Sequence, residues 1–202
     1  MNQRLLWNFE FAPSLNNQFL EQLQEQETDS VKWEARYFWP EHEIIVLNTI
    51  QDSLLDLAHY QQKNRTDYYY LLPDGNYNIK RRRDELIYKP LVKQAKHALG
   101  FGAKVNLESE ADAIAPHLQE ITQLVVENAT EVFVKKVAFL YKFSTSPKVK
   151  LELARLEVMD KIYFSACIEG KSLNLVETIA EHLLGNQVSC DYVSFLKTIM
   201  PL

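Results

Sequence analysis

The side chains best placed to do chemistry in this sequence are charged residues two positions apart. Lys80 and Arg82 share one parity of a short segment, Lys89 lies on the next, and Lys136 falls within a long apolar one. Glu34 and Arg36 alternate with Trp33, Ala35 and Tyr37, while Lys150 and Glu152 alternate with apolar neighbours. Glu10 and Glu169 sit in similar segments toward the two ends of the chain. Residues two apart in a strand point to one face of a sheet. Cations gathered on one enclosed face repel each other unless an anion neutralises them. Carboxylates among them either pair with the cations or hold a divalent metal. A polyanion bridged by Mg²⁺ or Mn²⁺ satisfies both sets. A sheet with one wet face gives the same alternation, an explanation that serves for any single strand better than for many together.

Strands are needed to position these residues, and the pattern supplies them. Alternation predicts strands over 5–11, 31–39, 68–72, 77–83, 85–92, 130–143, 148–158 and 162–169. Pro73-Asp74-Gly75-Asn76 is a strong turn between the third and fourth of these. Helical spacing follows Pro13, with Leu15, Phe19, Leu20 and Leu23 on one side, and recurs over 53–62 behind an Asp52 cap. Further helices are expected over 116–127, from Ser172 to near Gly185, and in the tail from Tyr192 to Met200. The stretch 43–49 reads as a strand or as the lead into a helix, and 94–112 is undetermined. Eight strands tend to curl or close. The expected fold class is therefore α+β, an antiparallel eight-stranded β-barrel or tunnel with helices packed on the outside. It forms one domain over 1–202, with 94–128 as a connector and 186–202 as a C-terminal extension.

From Asp67 through Lys80 and Arg82 to Lys89, the sequence resembles the CYTH superfamily, the triphosphate tunnel metalloenzymes. That family has a strand with basic residues two apart, followed by a strand ending in lysine. The segment from Val149 through Glu152, and that from Tyr163 to Glu169 with a helix after it, are similar to the family's last two tunnel strands. The resemblance implies that Arg36, Lys80, Arg82, Lys89 and Lys136 bind the oxygens of a triphosphate. It implies that Glu10, Glu152 and Glu169 hold Mg²⁺ or Mn²⁺. The implied partner is a phosphorylated small molecule or inorganic polyphosphate, bound in a basic tunnel and open to metal-assisted hydrolysis. Departures from the family pattern point to an alternative. Where the family has Glu-x-Glu-x-Lys, this chain has Asn8, Glu10 and Ala12, and Ala138 and Ala154 replace a common Arg and a common acid. The alternative is a binding or interaction module that keeps the barrel without turnover. A third reading, a structural domain with no ligand, predicts exposed cations paired with surface acids.

The composition limits other functions. The chain has 202 residues, 47% of them hydrophobic and 24% charged, with a net charge of −5. An acidic whole disfavours nucleic acid and anionic membranes as partners, despite the run Lys80-Arg81-Arg82-Arg83. Cys167 and Cys190 belong to no CxxC pair, and the five histidines form no HExxH or triad-like setting. Cys167 reads as a small packing residue, Gly100-Phe101-Gly102 lacks phosphate-loop spacing, and Tyr68–Tyr70 suits sheet packing. The N-terminal stretch has no apolar signal region and no run is long enough to cross a bilayer, so the expected location is cytoplasmic.

Overall fold

The computed structural model describes residues 1–13, 23, 25–109 and 116–200. The strands are β1 (Gln3–Leu6), β2 (Phe9–Ala12), β3 (Lys32–Pro40), β4 (Ile45–Asn48), β5 (Gln61–Leu71), β6 (Asn78–Arg82) and β7 (Glu85–Lys89). They continue with β8 (Leu91–Gln94), β9 (Leu99–Phe101), β10 (Val105–Asn106), β11 (Thr130–Lys142), β12 (Lys150–Val158) and β13 (Lys161–Gly170). The helices are α1 (Pro116–Asn128), α2 (Leu173–Leu184) and α3 (Tyr192–Ile199). Ten strands form one sheet in the order β10-β7-β6-β5-β11-β12-β13-β3-β9-β8, and β1-β2-β4 form a small second sheet. The large sheet is antiparallel, whereas β2 runs parallel to β4.

The large sheet curls, and its connectivity explains how. Only Pro90 separates β7 from β8, yet β7 pairs with β6 near one edge and β8 pairs with β9 at the other. Proline has no N–H to continue a ladder, so the chain can leave one edge there and join the opposite one. The neighbouring segment crosses back in the same way, from β9 through Gly102 to β10, which pairs with β7. Gly102 N–H donates to the Pro90 carbonyl at 2.9 Å where the two segments cross. The two segments thus form a ribbon that bridges the seam of the curl. Across it Lys89 on β7 bonds Glu34 on β3, and its ammonium lies 4.0 Å from the centre of the Phe101 ring on β9. The expected eight strands are thus corrected to ten in one curled sheet, whose two ends are joined by this ribbon.

Strand parity divides the packing into two faces. The outer face carries Trp33, Ala35, Tyr37, Leu151, Leu153 and Ile168, which pack with Phe9, Phe11 and the α2 stripe Leu175, Val176, Ile179 and Leu183. Ser172 caps α2 by accepting a bond from the Leu175 amide. α1 covers Ile79 and Leu86 with Leu118, Ile121 and Val125. The inner face is apolar only toward one end, where Leu71, Val132, Val134, Leu156 and Val158 meet Val193, Phe195 and Leu196 of α3. Asp191 starts that helix, accepting bonds from the Val193 and Ser194 amides at 2.8 and 3.0 Å. So α1 and α2 lie outside as expected, but α3 lies inside the curl.

Three local expectations also change. The segment 5–11 is not one strand but the hairpin β1–β2, which turns at Trp7 with φ of 47°. In place of a helix over 53–62 there are two short 3-10 turns, Asp52–Leu55 and Leu57–His59, and β5 already begins at Gln61. The stretch 43–49 resolves as strand β4. The expected helix after Pro13 lies outside the described residues except for its last residue, Leu23. No helix among the described residues is long and apolar enough to cross a membrane.

Candidate functional site

The inner face of the curl carries the charged parity of seven strands, and the register sets who meets whom. Glu152 on β12 stands opposite Cys167 on β13, and Cys167 stands opposite Arg36 on β3. Arg36 can therefore reach across the small thiol and donate to Glu152 at 3.0 Å and to Ser165 Oγ at 3.3 Å. Lys136 on β11 donates to the same Glu152 oxygen at 2.9 Å. Two residues further along β13 and β3, Glu169 lies opposite Glu34. Lys32 at 2.7 Å and Lys150 at 3.9 Å balance Glu169, while Lys89 and Arg36, the latter at 4.0 Å, balance Glu34. Across the cleft, Asp67 on β5 receives a bidentate bond from Arg82 at 2.5 and 2.6 Å and a bond from Lys80 at 3.3 Å.

Cations outnumber these carboxylates. Lys32, Arg36, Lys63, Arg65, Lys80, Arg82, Lys89, Lys104, Lys136 and Lys150 line a cleft with about 290 Å³ of free space. Against these ten stand Glu34, Glu152 and Glu169 in the lining and Asp67 behind it, which leaves a formal excess of six cationic groups. This excess sits in a chain whose net charge is −5. Lys63, Arg65 and Lys104 have no ion-pair partner among the described residues.

Proton affinities record the imbalance. Burial pushes Lys80 down, and repulsion from Arg82 and Lys136 adds to this against the pull of Asp67, so its pKa falls from 10.5 to about 7. Lys104 is also lowered, by burial and then by Arg82 and Lys89. The carboxylates move the other way. Burial would raise Glu34, but Lys89 and Arg36 hold it at about 2. Lys136 and Arg36 likewise overcome burial and hold Glu152 far below the usual carboxylate range. Cys167 is fully buried and its thiol is pushed well up, which suits packing and not nucleophilic attack.

Of the residues singled out in the sequence, Arg36, Lys80, Arg82, Lys89 and Lys136 converge in this one cleft. Glu152 and Glu169 join them, but Glu10 does not. It lies on β2 in the small sheet and accepts a bond from Arg4 at 3.0 Å. Among the described residues no group of three or more His, Cys, Asp or Glu is arranged to hold a metal. The three carboxylates that line the cleft are each held by two cations, so this donor set does not fit a resident Mg²⁺ or Mn²⁺. Sequence reasoning missed Lys63, Arg65, Asp67 and Tyr69 as one inward row of β5. Their alternation was the available signal, obscured by the helical spacing just before it. Lys104 lay in the undetermined stretch, and nothing local marks it.

Comparison with known proteins adds little to this geometry. No family model matches the chain, and no curated protein matches it. Among solved structures it is similar to a candidate adenylate cyclase from Bacillus halodurans, with 10% identity and a TM-score of 0.44 over 83% of this chain and 97% of that one. It is also similar to the PH1819 protein from Pyrococcus horikoshii, with 17% identity and a TM-score of 0.36 over 83% of this chain and 99% of that one. Both TM-scores lie below 0.5, so neither likeness says what this chain binds.

Proposed function

We propose that the cleft binds a triphosphate-type polyanion, either the phosphate chain of a phosphorylated small molecule or inorganic polyphosphate, and that it does so as a CYTH-like binding module without turnover. The observation that carries this reading is the excess of six cations converging on one concave face of an acidic chain. Such a site is electrostatically unsatisfied when empty, and a linear anion with several charges along its length removes the deficit. Guanidinium and ammonium donors are the groups that bind phosphoryl oxygens most strongly. Binding is favoured over metal-assisted hydrolysis because Glu34, Glu152 and Glu169 are occupied by their own cations.

The test is a thermal-shift titration with tripolyphosphate, with and without Mn²⁺. A ligand at about 100 times its dissociation constant stabilises the native state by about 2.7 kcal/mol, which melting resolves. Stabilisation that Mn²⁺ leaves unchanged is the expected result. Stabilisation that Mn²⁺ strengthens would return hydrolysis to first place and call for a phosphate-release assay. No shift under either condition refutes the polyanion reading.

A further inference from the structure

The inner face changes character along the axis of the curl. Toward one end α3 lies on Val134, Leu156 and Val158, and its Phe195 ring stacks on Phe38 at 3.9 Å. At the boundary stands Tyr192, 7% exposed. Its ring stacks on Tyr69 at 5.2 Å, with the Arg36 guanidinium 4.7 Å from its centre and the Lys136 ammonium 5.6 Å away. Within the cleft, exposure rises from the side chains against this ring to those at the far ends of β3 and β12. The side chains of Arg36 and Lys136 are 8% exposed, those of Lys80 and Lys89 14% and 13%, and those of Lys32 and Lys150 41% and 38%. The cleft therefore has a wet, basic mouth and a dry end closed by an aromatic ring.

We infer that the cleft is a blind pocket with Tyr192 as its floor, and that it reads the free end of a linear polyphosphate-type chain and not its interior. This rests on the polyanion reading above. A phosphoryl group carried past Tyr192 would have to displace the packed side chains of Val134, Leu156 and Phe195, where an ion loses its water and gains no partner. The terminal phosphoryl group stops above the ring, within reach of Arg36, Lys136 and Lys80. The groups that follow meet Arg82 and Lys89 and leave through the mouth. A strand of anion cannot thread through, so chain interiors with both arms extended do not fit. Tyr192 is thus a specificity-determining residue that selects chain ends.

Calorimetric titration of the intact protein with linear polyphosphates of increasing length tests this. Each chain is expected to take up no more than one protein at each of its ends, whatever its length. Chains whose two ends are both capped as alkyl phosphoramidates are expected not to bind. Uptake that grows with chain length, or capped chains that bind as well as uncapped ones, would overturn the blind pocket while leaving polyanion binding intact. Failure to bind even uncapped tripolyphosphate would remove both.

Discussion

Replacing Lys80 by methionine should stabilise the ligand-free protein, and the gain should depend on pH. Lys80 is an ammonium at 14% side-chain exposure whose only carboxylate among the described residues, Asp67, is already held bidentately by Arg82. Its pKa in the fold is lowered from 10.5 to about 7. Below pH 7 the lysine is charged in both folded and unfolded chains, and the folded state bears the whole penalty. Between pH 7 and 10.5 the folded state releases the proton first, so the unfolded state binds more protons and wild-type stability rises with pH. Above that range the penalty is gone. The depression corresponds to at most about 5 kcal/mol, since each pKa unit is worth about 1.4 kcal/mol. Methionine fills a similar volume without the charge. Even about 2 kcal/mol would raise Tm by roughly 4–8 °C in a chain of this size. Melting curves of both proteins from pH 6 to 10 measure it. The variant should be more stable at pH 6 and converge on wild type near pH 10, and it should be stabilised less by tripolyphosphate. A variant less stable than wild type at pH 6, or a difference that ignores pH, would refute the account of the cleft as cation-strained.

Other consequences can be checked alongside it. Lys63→Ala combined with Arg65→Ala should leave the ligand-free Tm unchanged or slightly higher, and weaken tripolyphosphate binding by about tenfold in a salt-dependent way, as calorimetry at two ionic strengths would read. Glu152→Gln should cost about 3–5 kcal/mol in urea unfolding, because Arg36 and Lys136 lose their buried partner. Because Glu34 is held at about 2, below its ordinary 4.5, its contribution is present above pH 4.5 and should be lost as pH falls toward 2. Replacing it by glutamine should flatten the acid limb of the stability curve. Gly100→Ala should destabilise by about 1–3 kcal/mol, since its methyl would lie 3.0 Å from Trp33 and Val31, both buried.

Much of this arrangement was readable from residue order, for physical reasons that differ by element. β12 and β13 have one face on the outer core and the other facing the cleft, and Val132 and Val134 of β11 mark its inward parity, so Lys136, Lys150, Glu152 and Glu169 stand out on the inward parity of these strands. The same alternation fails at β5, where the 3-10 turns Asp52–Leu55 and Leu57–His59 carry leucines at helical spacing and hide the strand start at Gln61. The seam was not readable, because one proline cannot reveal that the strands on its two sides join opposite edges of a sheet. The place of α3 was hidden for a related reason. Its apolar stripe shows that it packs, but only the tertiary structure decides that it packs within the curl. Glu10 shows the converse error. Its alternation with Phe9 and Phe11 is real, yet it belongs to the small sheet, so parity alone did not bring it to the cleft.

The ribbon at the seam also governs how the protein meets its own copies. An open sheet of ten strands should offer two long rows of unpaired amides and carbonyls, which are templates for edge-to-edge association. Here the terminal strands are β10, two residues long, and β8, four residues long, because each of the two crossing segments is divided between both edges. Pro90 precedes β8, and Lys93 lies within it. The swap of edges that shapes the mouth thus leaves little exposed ladder for another chain to extend.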